Sequence, residues 1–205
     1  MKAIIFDMGG VLVDLDIQAC RNAFKEDLEF HQIDEMLDPC HQKGLIGEME
    51  SGYITGDEFR DYVIAHARSG ISPEDVDNAF NKILVSIAPY KIDLLRKLSE
   101  KYDVYMLSNN NPIATRRAEE MFREAGFTME GDFKKCYISY QMKMLKPSAG
   151  FYKAVMEDIA LPVEEMLFID DSQKNVDAAN EAGLPAIYYK PGTDLGGLIA
   201  KYVEF

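Results

Sequence analysis

The pattern of hydrophobic and polar positions changes about 15 residues into the chain. Residues 3–6 form an uninterrupted apolar run that ends at Asp7. Such a run is typical of a strand that is buried on both faces of a parallel sheet. Residues 16–86 instead interleave apolar and charged positions at helical spacing, and the capping sequences at Thr55 and Ser72 mark two helix starts. The pattern therefore predicts one buried strand followed by about four helices.

Beyond residue 88, helical and strand patterns alternate. The predicted helices lie near 90–101, 112–125, 149–158 and 173–182, and the predicted strands near 104–107, 137–139, 166–169 and 186–189. This alternation predicts an α/β fold with a Rossmann-like, doubly wound parallel sheet, to which the first strand also belongs. We expect a discontinuous core domain formed by residues 1–15 and 88–205, with an α-helical cap domain, residues 16–87, inserted in it.

Composition narrows the classes of partner. The chain has 205 residues, of which 47% are hydrophobic, so it can bury a substantial core. Its net charge of −13 disfavours nucleic acid and anionic membranes as partners, because carboxylates repel phosphate groups. An anionic substrate would need a local excess of positive charge from a metal ion, lysines or backbone N–H groups. A small phosphorylated molecule is therefore a possible substrate only if such positive groups surround the site where its phosphate binds.

Cysteine usage and hydropathy bear on the compartment. Cys20, Cys40 and Cys136 form no CxxC pair, which favours a reduced, cytoplasmic protein over a disulfide scaffold. Cys40 and His41 lack further ligands at zinc spacing. No cleavage signature and no membrane-spanning apolar run is present, so we expect a cytoplasmic protein, and the sequence leaves the oligomeric state open.

Polar residues with possible roles in phosphate chemistry lie at the ends of two predicted strands and just before one predicted helix. Asp7 ends the first strand, Ser108 and Asn109 follow the second, and Lys146 precedes a helix. Each alone has an ordinary explanation, as a helix cap or a surface lysine. Because parallel strands end at one edge of the sheet, we expect these groups to converge there. A hydroxyl, an amide, a helix N-terminus and an ammonium group can all bind phosphate oxygens.

Asp170 and Asp171 follow another buried strand directly. Adjacent carboxylates repel each other unless a cation or hydrogen bonds compensate. Mg²⁺ is the natural cation, because it prefers oxygen and commonly takes one or two carboxylates together with water and substrate phosphate. The acidic pair therefore predicts a magnesium site.

The order of these residues resembles the haloacid dehalogenase superfamily, in its phosphatase branch with a cap inserted after the first strand. The matching positions are Asp7, Ser108-Asn109, Lys146-Pro147 and Asp170-Asp171, together with Asn175 on the following helix. The resemblance covers nearly the whole chain. It implies that the Asp7 carboxylate attacks phosphorus to give an aspartyl-phosphate, which water then hydrolyses.

The resemblance also assigns supporting roles. It implies that Mg²⁺ binds Asp7, the backbone carbonyl of Gly9 and Asp171, with Asp170 bound directly or through water. Ser108 and Lys146 would hold the phosphoryl oxygens, with Asn109 beside them. Asn175 would orient either Lys146 or an acidic partner.

Gly9 departs from the family pattern. Most phosphatases of the superfamily have an aspartate here that protonates the leaving group, and such catalysis is typically worth about 10²–10⁴ in rate. One explanation is that another group replaces it, namely Asp14, Asp16, His41 or Glu50. Alternatively, the leaving group needs little protonation, or the protein is catalytically weak.

The segment around Gly9 looks like the glucose-1-phosphatase-like subgroup, which is similar to the phosphatase domain of soluble epoxide hydrolase. Glycine is frequent at this position in that subgroup, which suggests an acidic leaving group such as that of an anomeric sugar phosphate. In the cap, residues 47–55 combine glycines, acids and an aromatic, so Glu48, Glu50 and Tyr53 are candidates for substrate selection. A solvated loop would explain the same composition.

The sequence thus predicts a Mg²⁺-dependent phosphatase that acts on a small phosphorylated metabolite, with a sugar phosphate as one candidate. A dehalogenase would have no use for the Asp170-Asp171 pair. A phosphoglucomutase-like phosphotransferase needs the proton transfer that Gly9 cannot perform, and a binding protein without activity would have little need of Asp7 and Lys146. The phosphotransferase and the catalytically weak binding protein remain the alternatives.

Overall fold

The computed structural model describes residues 1–37 and 44–204. Cys40 and His41 lie outside the described residues. The strands are β1 (Ala3–Phe6), β2 (Asp14–Leu15), β3 (Leu84–Ser86), β4 (Asp103–Ser108), β5 (Lys135–Ile138), β6 (Met166–Asp170) and β7 (Ala186–Tyr188). The α-helices are α1 (Ile17–Asn22), α2 (Ile33–Met36), α3 (Gly44–Glu50), α4 (Gly56–His66), α5 (Pro73–Asn81), α6 (Pro89–Ser99), α7 (Pro112–Glu124), α8 (Ser139–Met142), α9 (Ala149–Ile159), α10 (Gln173–Ala182) and α11 (Leu195–Ile199).

Five of the strands form one parallel sheet in the order β5-β4-β1-β6-β7. The first strand lies at its centre, where Ile4 is in register with Val104 on one side and Leu167 on the other. The strand order reverses direction at β1, which is the usual position for ligand binding in such sheets. The predicted doubly wound α/β fold is confirmed, and the residues after β1, β4 and β6 lie side by side at one edge.

The two faces of the sheet are covered by different helices. Ile4 and Phe6 belong to a core that includes side chains of α6, α7 and α11, whereas Ala3 and Ile5 belong to a second core with side chains of α9 and α10. This division follows from the alternation of side chains along a strand. Burial on both faces explains why the strands are apolar throughout.

Helices α1 to α5 lie in the chain between β2 and β3, which pair antiparallel as a short ribbon. Four phenylalanines pack edge-on or tilted within this helical region, with ring centroids 5.8–6.3 Å apart, namely Phe24, Phe30, Phe59 and Phe80. Their cluster is continuous with one core of the sheet. Beside the ribbon, the buried ammonium group of Lys91 lies 2.9 Å from Asp14 Oδ1. The inserted region is therefore attached to the sheet by apolar contacts and by an ion pair.

The helical region differs in detail from the prediction. The described part contains five α-helices, α1 to α5, and residues Ala23–Asp27 form a π-helical turn directly after α1. Helical periodicity indicates which positions are apolar but not where a helix is interrupted. Among residues 1–37 and 44–204, no helix has the length and apolar character required to span a bilayer.

Candidate active site

A cavity of about 870 Å³ opens at the carboxyl ends of β1, β4 and β6. Its walls come from both parts of the chain. Asp7, Ser108 and Lys146 line it from the sheet side, and Glu50 and Phe80 line it from the helical insertion. The cavity thus brings the predicted core residues together under the inserted helices.

Asp7 follows the central strand and is 8% exposed. Its Oδ1 accepts a hydrogen bond from the Met8 N–H at 2.7 Å and lies 2.9 Å from Lys146 Nζ. Burial raises the pKa of Asp7 to about 8; the Lys146 charge opposes this shift, and the charges of Asp170 and Asp171 add to it. A cation near Asp7 would favour the ionised carboxylate that a nucleophile requires.

Lys146 is the positive charge nearest this carboxylate. Its ammonium donates to Asp170 Oδ2 at 2.7 Å and to the Leu107 carbonyl at 3.1 Å, in addition to its contact with Asp7. Burial alone would lower the pKa of Lys146, but the charges of Asp170 and Asp7 outweigh burial and raise it. Lys146 therefore stays charged at neutral pH, with its three N–H donors directed at these three oxygens.

Asp170 is fully buried and hydrogen-bonded through both oxygens. Oδ1 accepts from the Ser172 N–H at 2.8 Å, and Asn175 Nδ2 lies 3.1 Å from Oδ1 and 3.2 Å from Oδ2. Of the two roles considered for Asn175, the geometry shows the contact with the acidic partner. Because Lys146 also donates to Asp170, this carboxylate links the lysine to the loop after β6.

Asp171 is half-buried and faces the cavity. Burial and the neighbouring charge of Asp170 raise the pKa of Asp171 to about 6, although Lys146 opposes the shift. One oxygen from each of Asp7, Asp170 and Asp171 lies within 4.8 Å of the others. Three carboxylates thus lie together, two of them paired with Lys146, and this oxygen-only donor set fits the preference of Mg²⁺.

The two glycines after Met8 have different spatial requirements. Gly10 has φ +71°, and a Cβ there would overlap the Asp171 carboxylate, so this position needs glycine for both reasons. At Gly9, a Cβ would meet only the flexible Leu15 side chain, 2.9 Å away. The backbone therefore does not exclude a side chain at position 9.

Ser108 ends β4 and Asn109 follows it directly, and both line the cavity. The Ser108 side chain is buried at the cavity wall. The Asn109 side chain forms two hydrogen bonds with the backbone of Lys146, donating to its carbonyl at 2.9 Å and accepting from its N–H at 2.8 Å. The Asn109 amide therefore holds the Lys146 segment against β4 in this structure.

The cap candidates are placed differently from one another. Glu50, the last residue of α3, lines the cavity. Glu48 is exposed and Tyr53 is 77% exposed, and neither is among the described residues that line the cavity. The structure thus brings one of the three to the site.

Asp14 and Asp16 also line the cavity, but their carboxylates have structural partners. Asp14 is paired with Lys91 and accepts from the Ser86 hydroxyl at 3.0 Å. Asp16 caps α1 by accepting from the Ala19 N–H at 2.8 Å. His41, another candidate proton donor, lies outside the described residues.

Ser139 is a site-related residue that the sequence reasoning missed. It is fully buried, its Oγ accepts from the Asn110 N–H at 2.9 Å, and its hydroxyl lies 2.7 Å from the Glu50 carbonyl. Ser139 comes directly after β5. Applying the rule of polar residues at strand ends to this strand would have identified it.

The family comparison agrees with this arrangement. Residues 1–183 match the family model described as haloacid dehalogenase-like hydrolase, and the chain belongs to this family. The predicted superfamily is thereby confirmed, while the glucose-1-phosphatase-like subgroup remains a prediction.

Individual relatives cover nearly the whole chain. A D-ribitol-5-phosphate phosphatase from Bacteroides thetaiotaomicron is 31% identical over 195 residues, which span 95% of this chain and 94% of the relative. The crystal structure of a wild-type haloacid dehalogenase family enzyme from the same organism, in complex with magnesium and inorganic phosphate, has a TM-score of 0.88 and 40% identity, covering 97% of this chain and 98% of that one. A predicted haloacid dehalogenase-like hydrolase from Porphyromonas gingivalis has a TM-score of 0.88 and 32% identity, covering 98% and 97%.

Proposed function

We propose that this protein is a Mg²⁺-dependent phosphatase that hydrolyses the phosphate monoester of a small sugar or sugar alcohol. The observation that carries the proposal is the position of Asp7 at the end of the central strand, paired with Lys146 and within 4.8 Å of two further carboxylates. The D-ribitol-5-phosphate phosphatase relative and the magnesium complex of a homologue support the substrate class and the metal.

In the proposed reaction, Asp7 bonds to phosphorus as the ester P–O bond breaks, giving an aspartyl-phosphate. Water then attacks phosphorus, releases inorganic phosphate and regenerates the carboxylate. Lys146 balances the charge of Asp7, and the Ser108 hydroxyl at the cavity wall would exchange its long bond to the Asn109 carbonyl, 3.4 Å, for one to a phosphoryl oxygen. A direct contact of Lys146 with phosphate would require one of its three present bonds to be exchanged.

Asp7 and Asp171 would bind Mg²⁺ together with the Gly9 carbonyl, and Asp170 would bind the ion directly or through a water molecule. The bound ion would offset the carboxylate charge and stabilise negative charge on a phosphoryl oxygen. The overall negative charge of the protein would then be reversed locally where the phosphate binds.

The cavity also supports a small substrate. Its volume of about 870 Å³ lies within the range of sites that enclose small ligands. We assign residues 16–87 the role of a cap that closes this cavity, since Glu50 and Phe80 line it from that segment. A cytoplasmic location agrees with the free thiols of Cys20 and Cys136.

The test is phosphate release by the purified protein from D-ribitol 5-phosphate, sugar 5- and 6-phosphates, and sugar 1-phosphates. We expect activity with Mg²⁺, loss of activity with EDTA, and a decrease on the order of 10⁴-fold or more in Asp7→Asn. Activity that survives both EDTA and the substitution would overturn the proposal. A preference for sugar 1-phosphates would support the prediction that the substrate has an acidic, anomeric leaving group. A preference for sugar 5- or 6-phosphates would instead indicate that the enzyme releases a primary alcohol.

A further inference from the structure

Gly9 leaves the reaction without the proton donor that the family usually places there. In a sugar 5-phosphate or ribitol 5-phosphate the leaving group is a primary alkoxide, which departs readily only if it is protonated. General acid catalysis of such a step contributes about 10²–10⁴ in rate. The proposed substrate class therefore requires an acid from elsewhere in the cavity.

Among the described carboxyls that line the cavity, Asp7 and Asp171 belong to the predicted metal site, which leaves Asp14, Asp16 and Glu50 as candidates. Asp14 and Asp16 are engaged by Lys91 and by the N-terminus of α1. Within residues 1–37 and 44–204, by contrast, no hydrogen bond joins the Glu50 carboxyl to another group. An acid that must exchange protons with substrate and water needs this freedom.

Two contacts fix the backbone of Glu50 beside the sheet. Its carbonyl accepts from Ser139, whose Oγ also binds the Asn110 N–H in the loop after β4. Two residues further on, Gly52 has φ +70°, and a Cβ there would overlap the Tyr140 carbonyl. The segment that carries Glu50 thus approaches the core so closely that only glycine fits at position 52.

The electrostatics of the cavity support a protonated Glu50. Burial raises the pKa of Glu50 to about 8, with Lys146 opposing the shift and Asp7 adding to it. The carboxyl is therefore largely protonated at neutral pH, as a general acid must be before it donates. Glu50 lines the same cavity as Asp7 and Lys146, whose charges act on its carboxyl.

We propose that Glu50, supplied by the inserted helical segment, is the general acid and base that replaces the residue absent at Gly9. The inference rests on the proposed phosphatase function. As the Asp7 carboxylate bonds to phosphorus and the ester P–O bond breaks, Glu50 gives its proton to the departing alkoxide oxygen. It then takes a proton from the water that attacks the aspartyl-phosphate, which releases phosphate and restores both Asp7 and protonated Glu50.

The experiment compares Glu50→Gln with Glu48→Gln, an exposed position on the same helix. Each variant is assayed with D-ribitol 5-phosphate, or with the best alkyl phosphate of the panel, and with p-nitrophenyl phosphate, whose leaving group needs little protonation. For Glu50→Gln we expect kcat/KM to fall about 10²–10⁴-fold with the alkyl phosphate and only a few-fold with p-nitrophenyl phosphate. We expect Glu48→Gln to match the wild type with both.

The second chemical step provides an independent readout. Because Glu50→Gln also removes the base for water, kcat should fall with p-nitrophenyl phosphate too, and a burst of p-nitrophenolate should precede the slow steady state. Equal losses of kcat/KM with both substrates, or no loss with either, would overturn the inference. Asp7→Asn should abolish turnover of both substrates, so a failure of the phosphatase proposal itself would be recognised separately.

Thermal unfolding of each variant shows whether it folds. If Glu50→Gln does not fold, Glu50→Asp retains the acid on a side chain shorter by one methylene. It should lower kcat/KM more with the alkyl phosphate than with p-nitrophenyl phosphate. An equal decrease for the two substrates would contradict the role of Glu50 in protonation.

Discussion

The two walls of the cavity are built in different ways. On the sheet side, Lys146, Asp170 and Asn175 form a buried network in which each charged group has several partners. On the cap side, Glu50 projects from a helix end that is fixed through its backbone, while its carboxyl has no hydrogen-bond partner among the described residues. The sheet edge is thus organised to hold charge in a constant position, and the inserted segment presents a group that can exchange protons.

This difference has a physical reason. Charges buried in the sheet are tolerated only if each is paired and hydrogen-bonded, since an unpaired buried charge is strongly destabilising. Phosphoryl transfer benefits from such a fixed environment, because its catalysis is mainly positioning and electrostatic stabilisation. Proton transfer instead requires a group whose two protonation states are both accessible. The comparison implies that substitutions on the two walls should affect different measurable quantities.

Lys146→Met should give the largest effect and tests the sheet side. It would leave Asp7 and Asp170 without their shared cation, so we expect destabilisation by about 3–5 kcal/mol in urea unfolding with EDTA. In the presence of Mg²⁺, kcat/KM should fall on the order of 10²–10³-fold with every substrate, regardless of leaving group. Lys153→Met, at an exposed lysine of α9, is the control. Wild-type activity in Lys146→Met would remove the basis of the comparison.

Gly10→Ala tests the metal-binding part of the same wall. The new methyl group would displace the Asp171 carboxylate and would also require an unfavourable φ of +71°. We expect Mg²⁺ affinity, measured by titration of activity or calorimetry, to weaken by about 10–100-fold. Gly9→Ala is the matched control, because its methyl group meets only the Leu15 side chain. If Gly9→Ala weakened Mg²⁺ binding more than Gly10→Ala, the assignment of Asp171 would be wrong.

Ser139→Ala tests the junction of the two walls. It removes the buried hydroxyl that contacts both the Asn110 N–H and the Glu50 carbonyl, and we expect a loss of about 1–3 kcal/mol in the free energy of unfolding. Ser99→Ala is a suitable control, because that hydroxyl donates to the Leu95 carbonyl within one helix. A Ser139→Ala variant as stable as Ser99→Ala would show that the junction contributes little.

The pH dependence of stability concerns the cap side. The pKa of Glu50 is about 8 in the folded protein, above the value of about 4.3 in an unfolded chain, so the folded state holds its proton over this range. Wild-type stability is therefore lost as pH rises from about 4 to about 8, and Glu50→Gln removes that contribution.

In EDTA, Glu50→Gln should thus gain stability relative to wild type as the pH rises from 5 to 8. Urea unfolding at the two pH values measures this difference, with Glu48→Gln as the control. The same difference at both pH values would show that the Glu50 carboxyl does not titrate in this range.

Much of the sheet side could be predicted because it depends on topology. Asp7, Ser108 and Asp170 lie at the ends of buried strands whose apolar runs are visible in the sequence, and parallel strands end at a common edge. The partner of Asn109 could not be predicted, since its bonds to Lys146 join positions 37 residues apart. Local patterns do not specify which of several polar groups will meet across such a distance.

The cap side was less predictable for a related reason. Glu48, Glu50 and Tyr53 have similar local surroundings in sequence. Contacts with distant residues, such as that between Ser139 and Glu50, 89 positions apart, decide which of them meets the sheet. The π-helical turn at Ala23–Asp27 likewise interrupts a pattern that reads as continuous helix. Tertiary packing decides both features.

The β2–β3 ribbon marks the place where the whole helical insertion of this protein could be exchanged. The chain enters the helical insertion through β2 and leaves it through β3. These two strands are paired, with Asp14 in register with Ser86. An entire insertion could therefore be exchanged with that of a homologue at these two points while the sheet stayed intact. Such a chimera would acquire a new acid along with a new lid, so grafting for altered selectivity would also transplant part of the catalytic apparatus.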